Sequence, residues 1–313
     1  MTPSELLQQI VNGISVGSIY ALIALGYTMV YGILRLINFA HGDVYMIGAF
    51  IGYWVSNWLV RSNAYFQQHV ALAIFLSVPV AMLGCAVAGV LIERFAYRPL
   101  RLAPRYTLLI TAIGISFLLE YLMMLLVGPD RQAYQTDPWF SQQCALGFGV
   151  VISNQRLVAV TVAVVLMIAL ELLVHYTKIG KAMRAVATDQ DAARLMGIDV
   201  DRIITFTFAL GSALAGTAGV LIGMQYQIDP LMGVMDGLKA FVAAVLGGIG
   251  LIPGAVCGSF TLGIVETMVK GLHVEFFNLR PSLFADGVAF AILIVILLLK
   301  PSGLLGKFAR EKV

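Results

Sequence analysis

Few residues of this 313-residue chain are of types that do chemistry, and their spacing narrows the options. The four histidines, His41, His69, His175 and His273, are scattered and form no His-Glu-x-x-His pair, so metal-assisted hydrolysis has no ligand set. No Gly-x-Ser-x-Gly elbow presents a nucleophilic serine. Gly180-Lys181 is followed by Ala182 and lacks the upstream glycine of a phosphate-binding loop, so the chain offers ATP no site of its own. No catalytic, metal-binding or cofactor-binding residue is assigned. What remains is a polar knot at Asn38, His41 and Asp43, and four acids in or near apolar runs: Glu120, Glu171, Glu266 and Asp286. A charge at such depth costs about 2.5–3.5 kcal/mol on insertion scales and must face protein or water. A proton relay is one use; hydrogen bonding to a neighbouring helix, in neutral or paired form, is the commoner one.

The surroundings of these residues are lipid-like. Hydrophobic residues make up 60% of the chain and charged ones 12%, an excess of apolar surface that one soluble core could not hide. Disorder and nucleic-acid binding fall by the same arithmetic, since a net charge of +3 supplies no concentrated basic face. A crossing of a hydrocarbon layer takes roughly 20 helical residues. Apolar runs at 9–31, 40–60, 70–92, 106–127, 157–175, 203–224, 236–250, 254–270 and 284–300 predict an all-α polytopic membrane protein, a single transmembrane domain over 1–313. Run 236–250 is short, and Gly13, Gly17, Gly26 and Gly32 could divide the first, so eight to ten spans are expected.

Basic residues set the direction, because short cytoplasmic loops retain Lys and Arg. Arg94, Arg98, Arg101 and Arg105 share one connection; Lys178, Lys181, Arg184, Arg194 and Arg202 share another; Lys300, Lys307, Arg310 and Lys312 form the tail; Arg35 joins them. With nine crossings these all lie inside, and Arg61, Arg131, Arg156, Lys239, Lys270 and Arg280 lie outside. The N-terminus is then outside and the C-terminus cytoplasmic. Only Glu5 precedes the first apolar run, so no cleavable signal peptide is expected. Cys85 and Cys257 read as small apolar packers within helices, and Cys144 as an unpartnered thiol in an outer loop.

The inner segment 176–202 looks built. Thr188 with Asp191 three residues on is a capping-box pattern, Asp189 and Asp191 put negative charge on a first helical turn, and Gly197 is a natural stop. A short helix over about 189–196 would present Ala192, Ala193, Leu195 and Met196 as an apolar patch for a partner's groove. The alternative is a solvated, positive-inside connector.

The order Asp191-Ala192-Ala193-x-x-x-Gly197 resembles the Glu-Ala-Ala-x-x-x-Gly loop by which permeases of ATP-binding-cassette importers dock on their ATPases, without its trailing Leu-Pro. Arg35-Leu-Ile-Asn-Phe-Ala-His-Gly-Asp43 with Met46-Ile-Gly48 is similar to the signature of LivH-type permeases, the membrane subunits of bacterial branched-chain amino acid importers. So are Ile92-Glu-Arg-Phe-Ala-Tyr-Arg-Pro-Leu-Arg101, Ile110-Thr-Ala-Ile-Gly114, and Phe241-Val-Ala-Ala-Val-Leu-Gly-Gly-Ile-Gly250 with Pro253-Gly254. This ordered set spans nearly the whole chain. The resemblance implies a permease of the cytoplasmic (inner) membrane that moves leucine, isoleucine and valine. It also implies a second permease of LivM type, two ATPases that use ATP and Mg, and an extracytoplasmic binding protein. Another small apolar amino acid, or an amide such as urea, is the alternative cargo. An ATP-independent channel or carrier is the rival class, and it would not need the inner loop.

Two stretches read as helix breaks that would line a pathway, since only broken helices expose polar backbone at membrane depth. The first holds Asn38, His41 and Asp43 around Gly42; the second runs Gly247-Gly248-Ile-Gly250 to Pro253-Gly254. Similar interruptions in 9–127 and 157–300 suggest a weak internal repeat. The breaks could shape a low-affinity site for a zwitterionic amino acid, with half-helix N-termini facing its carboxylate. The plainer readings are glycine packing between helices and, for Asn38, His41 and Asp43, a turn at the cytoplasmic interface.

Overall fold

The computed structural model describes residues 2–101, 103–135, 137–147, 149–272, 284–300 and 303–306. His273, Arg280, Lys307, Arg310 and Lys312 lie outside the described residues. The helices in chain order are α1 (Pro3–Leu34), α2 (His41–Ser62), α3 (Ala64–Gln68), α4 (Val70–Ile92), α5 (Arg105–Val127), α6 (Pro138–Ser141), α7 (Asn154–Tyr176), α8 (Lys178–Thr188), α9 (Gln190–Leu195), α10 (Val200–Gly223), α11 (Met232–Gly247), α12 (Ile252–Gly271) and α13 (Ala285–Leu299). Each of the nine apolar runs is a helix. Six of these helices are long and apolar enough to cross a membrane: α1, α4 with its continuation to Leu100, α5, α7, α10 and α12. The protein is an all-α polytopic membrane protein. Among the described residues an antiparallel hairpin, β1 (Gln143–Gly147) and β2 (Val150–Ser153), lies in the connection between α5 and α7.

The glycines of the first run do not divide it. α1 is one helix of 32 residues, started by a capping box between Thr2 and Glu5. Its small residues are where other backbones come close: a side chain at Gly13 would meet the Ile264 backbone, and one at Gly17 the Ser259 carbonyl. That close approach seats α12 along α1, and α10, α11 and α7 complete the ring around it. The result is a central helix with 89% of its most apolar window buried, against 17% for α5, which lies at the periphery. The apolar face that α5 shows, including Phe117, Leu118 and Leu125, has lipid or another membrane helix as its natural cover.

Two ends of the bundle differ in character. At one end the Gln8 side chain of α1 bonds the Val151 backbone of the hairpin in both directions. At the other the chain ends α1, turns through Glu93–Leu100 between α4 and α5, and forms α8 and α9. This second end holds Arg94, Arg98, Arg101, Lys178, Lys181, Arg184, Arg194 and Arg202. Glu93, fully buried, is its anchor: it pairs with Arg101 and accepts from Thr205 Oγ1 at 2.8 Å, while Arg101 and Arg98 each hold Asp201 at 2.6 Å. The first turn of α10 is thereby tied to the α4–α5 connection.

Candidate translocation path and coupling surface

The first break folds back into the bundle. α1 ends at Leu34, Arg35 takes a left-handed conformation (φ 51°), and α2 begins six residues later at His41. Yet His41 Nε2 lies 3.2 Å from the Ile23 carbonyl, 11 residues before the end of α1, or roughly 16 Å back along it at about 1.5 Å per residue. The segment 35–40 therefore runs back beside α1 and closes in a turn at Phe39–Ala40, with His41 N–H bonding the Asn38 carbonyl at 3.1 Å, and α2 starts inside the bundle. Asn38, His41 and Asp43 are all buried within the protein, at 4%, 1% and 1% exposure. Their polar groups are met by protein: Tyr97 Oη donates to Asn38 Oδ1 at 2.6 Å, and Ser116 Oγ to Asp43 Oδ2 at 2.5 Å. Asp43 Oδ1 and Glu120 Oε1 are buried without a hydrogen-bond partner among the described residues.

The start of α11 meets the start of α2. A side chain at Gly42 would collide with the Gly233 carbonyl and touch Gly237, so these two helices cross almost backbone to backbone. Neither has a side-chain N-cap. The second predicted break is present as well. α11 stops at Gly247, four residues earlier than an uninterrupted crossing needs; Gly248 and Gly250 carry φ of 112° and 95°, a region closed to most side chains, and Pro253 sits in the first turn of α12. Gly247, Gly254 and Gly258 let α11 and α12 touch through their backbones. Gly250 faces Gly32 of α1 and lines a small cleft of about 90 Å³ with Thr28, Met29, Met183, Arg184 and Ala187. The two breaks thus lie apart, one within the bundle and one at its basic end. The glycines serve packing and breakage together.

Sequence reasoning missed a cavity of about 540 Å³ toward the hairpin end, between α1, α10, α11 and α12. Val16, Ile19, Ile222, Met232 and Met235 form its apolar wall, and Arg131, Asp229, Asp236, Lys239, Glu266 and Lys270 bring charges of both signs. Glu266 accepts from Tyr20 Oη (2.9 Å), Lys239 Nζ (3.1 Å) and Lys270 Nζ (2.6 Å), and Lys239 also holds Asp286 at 2.6 Å. The paired reading of the membrane acids therefore applies to Glu266 and Asp286. Glu171 pairs with His175 at 2.9 Å on the flank of α7. A findable signal existed for the network: Lys239 and Glu266 stand on either side of the Gly-rich turn, as two opposite charges in one helical hairpin.

At the basic end the short helix forms as expected, with a different cap. Thr188 closes α8, its hydroxyl donating to the Arg184 carbonyl, and Asp189 is the N-cap of α9, its Oδ1 accepting from the backbone N–H of Asp191 and Ala192. Thr188 cannot cap because it is still helical; Asp189 has the extended backbone a cap requires (φ −154°, ψ 114°). Gly197 (φ 81°) ends the helix with the paired bonds Ile198 N–H to Ala193 C=O and Gly197 N–H to Arg194 C=O. The apolar patch divides. Ala193 is 4% exposed and faces this chain, whereas Leu195 and Met196 are 90% and 83% exposed and Asp191 and Ala192 face outward. Gln190 Nε2 donates to the Ile33 carbonyl of α1 at 3.0 Å, and Met183 and Val186 of α8 are buried against the bundle. Of the cysteines, Cys85 is buried, and Cys144 and Cys257 are exposed; Cys257 is thus no internal packer.

Comparison with known proteins places this architecture. The family model described as branched-chain amino acid transport system, permease component, matches residues 9–297. The high-affinity branched-chain amino acid transport system permease protein LivH of Salmonella typhimurium is 42% identical, over 98% of this chain and 97% of the relative. BraD of Pseudomonas aeruginosa, a permease protein of the same description, is 42% identical over 98% of each chain. LivM of Escherichia coli, also a permease protein of that transport system, is 24% identical over 92% of this chain and 68% of the relative. The chain belongs to the family of branched-chain amino acid transport system permease components.

Proposed function

We propose that this chain is the membrane-spanning permease subunit of an ATP-binding-cassette importer that carries leucine, isoleucine and valine across a bacterial inner membrane. It works beside a second permease of LivM type, receives cargo from an extracytoplasmic binding protein, and is driven by two ATPase subunits that use ATP and Mg. The basic end faces the cytoplasm, as the clustered Lys and Arg of the short connections require; α1 then starts on the outer side.

The observation that carries this reading is α9. A six-residue helix is too short to persist alone. Here it is capped at both ends and seated on the bundle through Ala193 and Gln190, while Leu195 and Met196 point into solvent. Two large exposed apolar side chains on a rigid cytosolic knob suit a partner's groove. Movement of that knob enters α1 at Ile33, next to the cleft at Gly32 and Gly250 and to the segment that leads to the buried start of α2. The Glu93–Arg101–Asp201 tie makes α10 follow. Replacing both Leu195 and Met196 by serine should leave the chain inserted and remove its co-purification with the ATPases; retained association would refute the docking assignment.

A further inference from the structure

We propose that the cavity at the hairpin end is a binding subsite for the zwitterionic head of an α-amino acid, with Asp236 taking the ammonium and Lys270 the carboxylate. The inference rests on the permease reading above and moves the zwitterion site from the helix breaks to this cavity.

The charges of the cavity sort into satisfied and available ones. Glu266 is 2% exposed and engaged by three donors, and Lys239 lies between Glu266 and Asp286. These hold α11, α12 and α13 together. Asp236 differs: its one hydrogen-bond partner among the described residues is Tyr45 Oη at 2.9 Å, and no cation lies within 4.0 Å of it. It is partly open and lines the cavity. Among the described residues Lys270 is held by Glu266, its side chain is 46% exposed, and it lines the same cavity. Asp236 and Lys270 act on each other electrostatically without touching. A zwitterion between them brings a cation into contact with Asp236 and offers Lys270 a carboxylate in exchange for Glu266, which Lys239 keeps neutralised when Lys270 turns to the ligand. The apolar wall at Ile19, Ile222, Met232 and Met235 stands ready for an aliphatic side chain, and about 540 Å³ falls within the range of small-molecule pockets, roughly 300–1,000 Å³. An ammonium alone would leave Lys270 on Glu266 and a carboxylate alone would leave Asp236 with Tyr45, so a zwitterion is the ligand that engages both residues.

The test uses the assembled permease–ATPase complex in nanodiscs without the binding protein, with saturation-transfer NMR of leucine, isopentylamine and 4-methylpentanoate. Leucine should bind at least tenfold more tightly than either single-charge analogue. Asp236→Asn, which keeps an acceptor for Tyr45, should remove the advantage of leucine over 4-methylpentanoate, and Lys270→Gln its advantage over isopentylamine. In proteoliposomes both variants should raise the KM for leucine uptake at least tenfold. If Asp236→Asn fails to assemble, the half-exposed Lys270→Gln decides. Wild-type KM and unchanged analogue preference in these variants overturn the subsite while leaving the permease reading intact. A wild-type complex that binds leucine with that preference but never transports it upholds the subsite and overturns the assigned cargo.

Discussion

Gln190→Leu isolates the link between α9 and the bundle. The Ile33 carbonyl belongs to the last turn of α1, where carbonyls have no partner within their own helix, and the Gln190 amide is its hydrogen-bond donor among the described residues. Leucine keeps the side-chain volume and removes the donor. A partly buried hydrogen bond of this kind contributes about 1–1.5 kcal/mol, with about 1.4 kcal/mol per factor of ten in an equilibrium. If α9 must stay seated to transmit motion, the seated fraction relative to the loose one falls about five- to tenfold. The outward residues Leu195 and Met196 are untouched, so the complex still assembles. The assay is leucine transported per ATP hydrolysed in reconstituted vesicles: the ratio should drop while ATP hydrolysis persists. Gln190→Lys restores a donor and should recover most of the ratio; Gln190→Glu sets a carboxylate against the carbonyl and should be worse than leucine. A wild-type ratio in Gln190→Leu would refute the idea that motion enters α1 through this contact.

Ala193→Asp should uncouple the chain from the inner face of α9. A carboxylate at a site 4% exposed costs several kcal/mol, more than the docking of one short helix can hold. The chain should insert at normal yield and fail to stimulate its ATPases, as measured by substrate-dependent hydrolysis; normal stimulation would show that Ala193 does not seat the helix. Orientation has a native reporter. Cys144 in the hairpin is exposed and Cys85 is buried, so a membrane-impermeant maleimide added to intact cells should label Cys144 through the outer face, whereas Met196→Cys should react only after permeabilisation. The reverse pattern would invert the assignment of the two ends.

Local rules carried the sequence reading as far as local chemistry reaches. Gly197 stops α9 because the turn needs a positive φ, and Gly248 and Gly250 break the α11–α12 hairpin for the same reason; both are properties of single residues. The choice between Thr188 and Asp189 as cap was not local, since it depended on how far α8 continued. Which side of α9 is buried depends on where α1 ends in space. The return of 35–40 along α1 was hidden for a similar reason, because a polar segment near Arg35 looks the same whether it lies at an interface or folds back between helices. Lys239, Glu266 and Asp286 come from three helices, and their meeting required the packing of α11 on α12.

The claim beneath all of this is that cargo crosses only when a nucleotide-driven partner moves α9. It is tested by enclosing ATP and Mg with the reconstituted complex and following radiolabelled leucine delivered by the binding protein. Uptake should require ATP and both ATPase subunits, and should vanish when Leu195 and Met196 are both serine. Leucine equilibrating at the same rate through this permease pair without the ATPases would contradict the account.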